Sequence, residues 1–317
     1  EAISEPAMSD LSNVLWVVDL NRQSLDRIIP GIRVKVWQDM LAANGWNVIE
    51  AKYGKGLQKV FTETHGELLR DAIDGMSNEL YQRLLRVSSK ELREWLPGTS
   101  EYPQDLNSLI NQWDDEHLRD LFHNLGGHDF SSLRDAFDQV DNNSGPSVVF
   151  AYTLKGWKLP SIGDPQNHNV VLSDDQMEEL RNNLGISKKD VCSKVAPKSL
   201  AGRLCSKISK QMDINRQSIS VTKRLEIPKD FDRKYAGNMS TQQIFGLVMT
   251  DISRNIPEVS RRVVTLSPDV ASSTNLGGWI NKVGIWTRTE KELLPDEDVI
   301  RALKWEESMR GQHIELG

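Results

Sequence analysis

Apolar residues cluster along this chain in short runs separated by polar ones. Val14-Leu15-Trp16-Val17-Val18, Trp46-Asn47-Val48-Ile49 and Pro146 to Tyr152 (PSVVFAY) are such runs. Runs of this length bounded by turn residues predict buried strands. Between the first two, Val34 to Asn44 has Val36, Trp37, Met40 and Leu41 at helical spacing, predicting one apolar helix face. Gly45 follows, where a helix is often closed by glycine. Strand, helix and strand in this order predict a parallel sheet, because parallel neighbours need a crossover connection.

The rest of the chain continues in the same style. Leu57 to Leu96 is charge-rich and helical, Pro97-Gly98 and Pro103 punctuate a loop, and His117 to Leu125 is helical again. Gly126-Gly127-His128-Asp129 reads as a turn, with His128 holding it by hydrogen bonding, and Phe130 to Val140 as a helix. After the strand at Tyr152 comes a Pro/Gly/Asn loop, then a helix that Ser173 starts and that ends near Asn183. Gly185 to Asn238 is rich in Lys, Arg and Ser and reads as a partly ordered linker. Ser240 then caps a helix over Thr241 to Arg254, and Arg262 to Leu266 is a strand that ends in Ser267-Pro268-Asp269. Glu290 to Gln312 reads as irregular, and Ile314-Glu315-Leu316 as the opening of a further element. The expected fold class is therefore α/β with parallel sheets: a first domain over 1–185, a linker over 186–238 and part of a second domain over 239–317.

Composition narrows the functional classes. The net charge is -6 with both signs mixed along the chain, so no basic footprint for nucleic acid is present. No apolar run reaches membrane-spanning length, and no signal peptide is recognisable. Cys192 and Cys205 are too few for a disulfide framework, which predicts a reducing, cytoplasmic compartment. Gly-rich phosphate loops, a nucleophile elbow and the metalloprotease helix motif are missing from the sequence.

The first strand ends in Asp19, Asn21, Arg22, Gln23 and Asp26. Ligands of open α/β sheets sit just beyond the carboxyl ends of strands. Side-chain and backbone carbonyl oxygens are the hard donors that magnesium prefers. A plain polar turn is the competing reading.

Several stretches together resemble one family. Asp19 to Asp26 (DLNRQSLD) resembles the second half of the thiamine diphosphate-binding motif. Gly126 to Asp129, Phe150 to Gly156 (FAYTLKG) and Asn167-His168 look like the homodimeric decarboxylating component of the pyruvate dehydrogenase complex, and transketolases share the plan more loosely. The resemblance implies a parallel-sheet thiamine diphosphate-binding fold, with part of the diphosphate-binding domain followed by the start of the pyrimidine-binding domain. It implies thiamine diphosphate and magnesium as cofactors, with Asn21 giving its side-chain oxygen and Gln23 its backbone carbonyl to the metal. Lys155 would face the bound intermediate, His168 would manage protons, and Asp269 would contact the cofactor. The implied reaction is oxidative decarboxylation of a 2-oxo acid, pyruvate, in glycolytic metabolism, with the acyl unit passed to a lipoyl-bearing acyltransferase. The implied assembly is a homodimer.

Two alternatives stand beside it. One is a transketolase-like two-carbon ketol transfer, which needs a phosphate-binding cluster; Arg288 and Arg301 do not make a convincing one. The other is a non-catalytic fragment or half of a split enzyme. The family's Gly-Asp-Gly segment is expected before Glu1 and its pyrimidine-binding glutamate after Gly317, so the chain alone is expected to be an inactive internal piece.

Overall fold

In the computed structural model the described residues are 2–24, 27–28, 33–141, 144–188, 194–217, 225, 227–229, 234–268, 270–289 and 303–316. The chain divides into two compact units, residues 2–193 and 194–317. In the first, α1 (Ser4–Met8), β1 (Leu15–Leu20), α2 (Val34–Ala43), β2 (Asn47–Ala51), α3 (Lys55–Val60), α4 (Gly66–Gly75), α5 (Asn78–Leu84) and α6 (Ser89–Trp95) come in order. They are followed by α7 (Pro103–Ile110), α8 (Asp115–Phe122), α9 (Phe130–Asp141), β3 (Ser147–Tyr152) and α10 (Asp174–Asn183).

The sheet order is β1-β3-β2, and both pairings are parallel. Leu20 lies opposite Tyr152 and Ala51 opposite Ala151, so the three strands finish at one level. Every residue of β3 is buried. One face of the sheet carries Leu20, Val148, Phe150 and Tyr152 in a core shared with Leu41, Leu57, Ile73 and Tyr81. The other face carries Ile49, Ala51 and Val149 against Ala136 of α9. The central position of β3 is what its unbroken apolar run encodes, because a strand covered on both faces has no polar side to show.

Two expectations are corrected. β1 is not buried: Leu15, Trp16 and Val17 are exposed, and Leu20 alone of its residues is buried. The reason is its edge place in this sheet, where only β3 pairs with it. On α2, Leu41 is buried as expected, but Val36, Trp37 and Met40 are exposed and Gln38 is buried in their place. Gln38 takes the sheet-facing position because Glu50 of β2 accepts from its Nε2 at 2.5 Å, which satisfies a polar group the helix would otherwise keep in water.

In the second unit, α11 (Leu200–Gln217) lies within the stretch read as a linker. It is followed by α12 (Thr241–Asn255), α13 (Pro257–Ser260), β4 (Thr265–Ser267), α14 (Gly277–Val283), β5 (Ile285–Trp286), β6 (Glu307–Ser308) and β7 (His313–Glu315). The sheet order is β4-β7-β5-β6, again parallel throughout. β4 starts at Thr265 rather than Arg262, because the Val263 amide closes a turn onto the Ser260 carbonyl. Glu307 and Ser308 pair with β5, so the charged stretch before Gln312 is not irregular throughout; residues 290–302 lie outside the described ones. Met249, Leu276, Trp279, Ile280 and Ile285 form this unit's core.

A buried polar chain stiffens that core. Trp279 Nε1 donates to Thr265 Oγ1 at 2.9 Å, and Thr265 Oγ1 lies 2.8 Å from His313 Nδ1. An indole is a donor only, so the Thr265 hydroxyl proton is free to point at Nδ1. Nε2 of the fully buried His313 then donates to Glu315 at 2.7 Å. Thr265→Val keeps the shape and strands both neighbours. It is expected to lower the unfolding free energy by about 1–3 kcal/mol in urea denaturation, while Val264→Thr on the exposed side leaves it within about 0.5 kcal/mol.

Candidate functional site

The site is built where β1 stops. Asn21 Oδ1 accepts from the Gln23 amide at 3.0 Å, an Asx turn that ends the strand. Arg22 sits between them at φ 62, a left-handed conformation that costs a side-chain-bearing residue energy. Its guanidinium lies 4.5 Å from the centroid of the buried Tyr81 ring, which holds that conformation in place. Burial pushes the Tyr81 hydroxyl up to about 12, so Tyr81 stays a neutral platform.

Gln23 is buried, and its Nε2 donates to Gln82 Oε1 at 2.7 Å. Gln82 comes from α5 and is almost fully buried itself. Among the described residues the buried Gln23 side-chain oxygen has no donor. Burying such an atom is costly, which is typical of positions kept for a function rather than for stability.

A second loop closes on this one from β3. Lys155 Nζ donates to the Ser24 carbonyl at 3.1 Å, and the Thr153 hydroxyl hydrogen-bonds to the Asp19 carboxylate. Asn167 Nδ2 in turn donates to the Lys155 carbonyl at 2.6 Å. The loop after β3 is thus tied to the loop after β1 at one end and to the 164–169 turn at the other.

Gly126–His128 form a short 3-10 turn, with Asp129 closing it, wedged against the same strand ends. A Cβ on Gly126 would lie 2.4 Å from the Ala51 carbonyl oxygen, and one on Gly127 2.6 Å from that of Tyr152. Only glycine permits this approach. It brings the His128 ring to the chain beyond β3, where Nε2 accepts from the Leu154 amide at 2.7 Å. The imidazole also stacks on Trp157 at 4.4 Å and 7°. Asp129 receives the amides of Ser132 at 2.8 Å and Lys55 at 3.2 Å. Burial opposes ionisation of Asp129, and these amides outweigh it, leaving its carboxyl below the usual range.

Of the residues singled out by the sequence, Asn21, Gln23 and Lys155 are brought together. His168 lies one residue beyond Asn167, and its imidazole is exposed. Asp269 and Arg301 lie outside the described residues, as does Cys192; Arg288 is exposed on the second unit. Cys205 is a free, exposed cysteine. Gln82 carries no motif. Its one signal is a polar side chain three residues before Leu85 in a helix whose neighbours Tyr81 and Leu84 are core.

The donor set fits magnesium as part of a shell. An amide side chain and a backbone carbonyl are neutral oxygen donors, and magnesium completes its octahedron with carboxylate, phosphate and water oxygens. Among the described residues no group of three or more His, Cys, Asp and Glu could hold a metal by itself. The remaining ligands must therefore come from a bound diphosphate and from other protein groups. Beside these strand ends a cavity of about 620 Å³ is lined by Leu20, Arg22, Gln38, Glu50, Lys52 and Tyr152 among others, with Lys52 held by Asp74 at 2.7 Å.

Comparison with known proteins bears on this site. The chain has the parallel-sheet α/β architecture expected of a thiamine diphosphate-binding fold. It is similar along its whole length to curated pyruvate dehydrogenase E1 components: 24% identical to that of Cupriavidus necator and 26% to that of Pseudomonas aeruginosa. In both cases 100% of this chain aligns with 37% of the relative, so the chain spans little more than a third of the proteins it matches. No family model matches. Among solved structures, a transketolase from Leishmania mexicana aligns over 99% of this chain and 36% of its own, at TM-score 0.48 and 14% identity.

Behind the site, burial lowers the half-buried His123 to about 4, with the Arg119 charge adding to the effect. The unfolded chain then binds a proton that the folded one refuses between pH 6.5 and about 4. His123 therefore leaves stability intact above pH 6.5 and removes it as the pH falls towards 4. A urea-denaturation series from pH 7.5 to 4 is expected to show His123→Gln losing up to roughly 3 kcal/mol less than the unsubstituted protein.

Proposed function

We propose that this chain is part of a thiamine diphosphate- and magnesium-dependent oxidoreductase that decarboxylates a 2-oxo acid, pyruvate, and hands the acyl unit to a lipoyl group. The observation that carries the reading is the Asn21–Gln23 strand end. Asn21 closes on the Gln23 amide, Gln82 accepts from the Gln23 side chain and Lys155 holds the neighbouring Ser24 carbonyl, in a chain similar end to end to pyruvate dehydrogenase E1 components. The similarity spans 37% of those relatives, and the whole-protein activity is inferred on that basis.

When bound, thiamine diphosphate supplies the carbanion that adds to a keto carbon and receives the electron pair left by carbon dioxide. The residues of this chain bind and orient. Asn21 offers its side-chain oxygen and Gln23 its carbonyl to magnesium. Lys155 fixes Ser24, the residue after Gln23, and it places a cation beside the site where negative charge develops. His168 takes and returns protons from its exposed loop position. Asp269, which lies outside the described residues, is assigned to cofactor contact in this reading. A homodimer, a cytoplasmic setting and a lipoyl-bearing acyltransferase partner complete it. No helix among the described residues is long and apolar enough to cross a membrane.

The test uses the full-length protein. Calorimetric titration with thiamine diphosphate in magnesium buffer is expected to give saturable binding that Asn21→Ala weakens at least tenfold without lowering Tm. A ferricyanide-coupled assay is expected to show turnover of pyruvate. Turnover of sugar phosphates with pyruvate inert would replace the proposal by ketol transfer, and absence of cofactor binding would end both.

A further inference from the structure

The proposed reaction leaves His128 without a part, yet its ring is held on three sides. Nε2 accepts from the Leu154 amide at 2.7 Å, one face stacks on Trp157, and the backbone behind it is pressed against two strand ends through Gly126 and Gly127. The bond to Leu154 requires a lone pair on Nε2, so it exists only while the imidazole is neutral. Leu154 is buried, so leaving its amide without an acceptor is costly. The next residue is Lys155, whose ammonium holds Ser24 beside Asn21 and Gln23.

We propose that neutral His128 is a positioning residue: it sets the 153–157 loop and, through Lys155, the Asn21–Ser24 strand end, and its protonation releases both. The proposal rests on the reading of that strand end as a cofactor cradle, and it adds a pH-dependent latch to it. The charged and titratable groups around the ring are Asp19 of β1, His123 beyond α8, Asp129 next in sequence and Lys158, whose ammonium lies 4.7 Å from the Trp157 ring centroid. Burial holds the imidazole below its ordinary value, and Asp19 acts in the opposite sense. The ring is thus neutral at physiological pH and takes its proton in acid. In the positively charged ring Nε2 becomes a donor facing a donor, and Leu154 must move.

Hydrogen exchange of the full-length protein, followed by mass spectrometry from pH 8 to 4 and divided by the intrinsic rate at each pH, reads this directly. Two amides report: Leu154 for the loop and Gln23, which donates to Asn21, for the strand end. Protection of both is expected to fall about tenfold on acidification. His128→Phe keeps a flat ring over Trp157 and removes the acceptor. It is expected to lower protection of both amides to a similar extent at every pH. His128→Gln offers an oxygen acceptor that does not titrate, and is expected to restore protection and remove its pH dependence.

Three results would overturn the proposal: wild-type protection that is flat with pH, which needs no variant to fold; Phe and Gln variants equally labile; or a Leu154 response that leaves Gln23 unmoved. None of these readouts depends on cofactor. A protein that binds no thiamine diphosphate but shows the latch defeats the cradle reading and leaves the positioning role intact. Binding with no latch does the reverse.

Discussion

The site depends on the pairing of β3 with strands on both sides. A strand buried on both faces and hydrogen-bonded along both edges has no freedom to slide, because a one-residue slip would turn its whole apolar set the wrong way. β1 and β2 therefore finish level with it, and the chain leaving each strand meets the others at one edge. The Asn21–Gln23 turn, the Lys155 loop and the Gly126–Asp129 wedge are near one another for that reason.

What this edge contributes is preorganisation. Asn21 closes on the Gln23 amide, Gln82 holds the Gln23 amide group, Lys155 holds Ser24, and Asn167 holds Lys155. The neutral contacts are worth about 0.5–1.5 kcal/mol each in net terms and the bond from the Lys155 ammonium somewhat more, and together they tie the strand end to its surroundings. The fold tolerates a left-handed Arg22 and a buried, unpartnered Gln23 oxygen in the same three residues. Strain and unsatisfied polarity gathered at one strand end are consistent with a binding role.

The second unit repeats the architecture with a different means of stiffening. Its parallel strands are short, from two to three residues each, so ladder hydrogen bonds are few. The Trp279–Thr265–His313–Glu315 chain links α14 to β4 and β7 from within and supplies direction that the short ladders lack. The oxygen at its far end, Glu315 Oε1, is buried with no donor among the described residues.

Much of this was legible in sequence where local rules decide. PSVVFAY encodes a central strand because nothing polar interrupts it, and Ser173 and Ser240 start helices with the reciprocal bonds their Gln partners three residues on allow. Asn21 and Gln23 stood out because polar residues abruptly follow an apolar run. The failures are tertiary. Apolar spacing on α2 placed Leu41 rightly but also pointed to Val36, Trp37 and Met40, which are exposed, whereas Gln38 is buried against an acceptor on β2 that no local pattern reveals. Gln82 and the His128–Leu154 bond bridge 59 and 26 residues, distances at which periodicity is silent. The central claim is that the β1 strand end is half of a metal–diphosphate cradle. Its most direct test is an anomalous difference map of the full-length protein crystallised with manganese in place of magnesium and with thiamine diphosphate. One strong peak in coordination contact with Asn21 Oδ1 and the Gln23 carbonyl is expected; bound cofactor with its metal away from both oxygens would overturn the cradle.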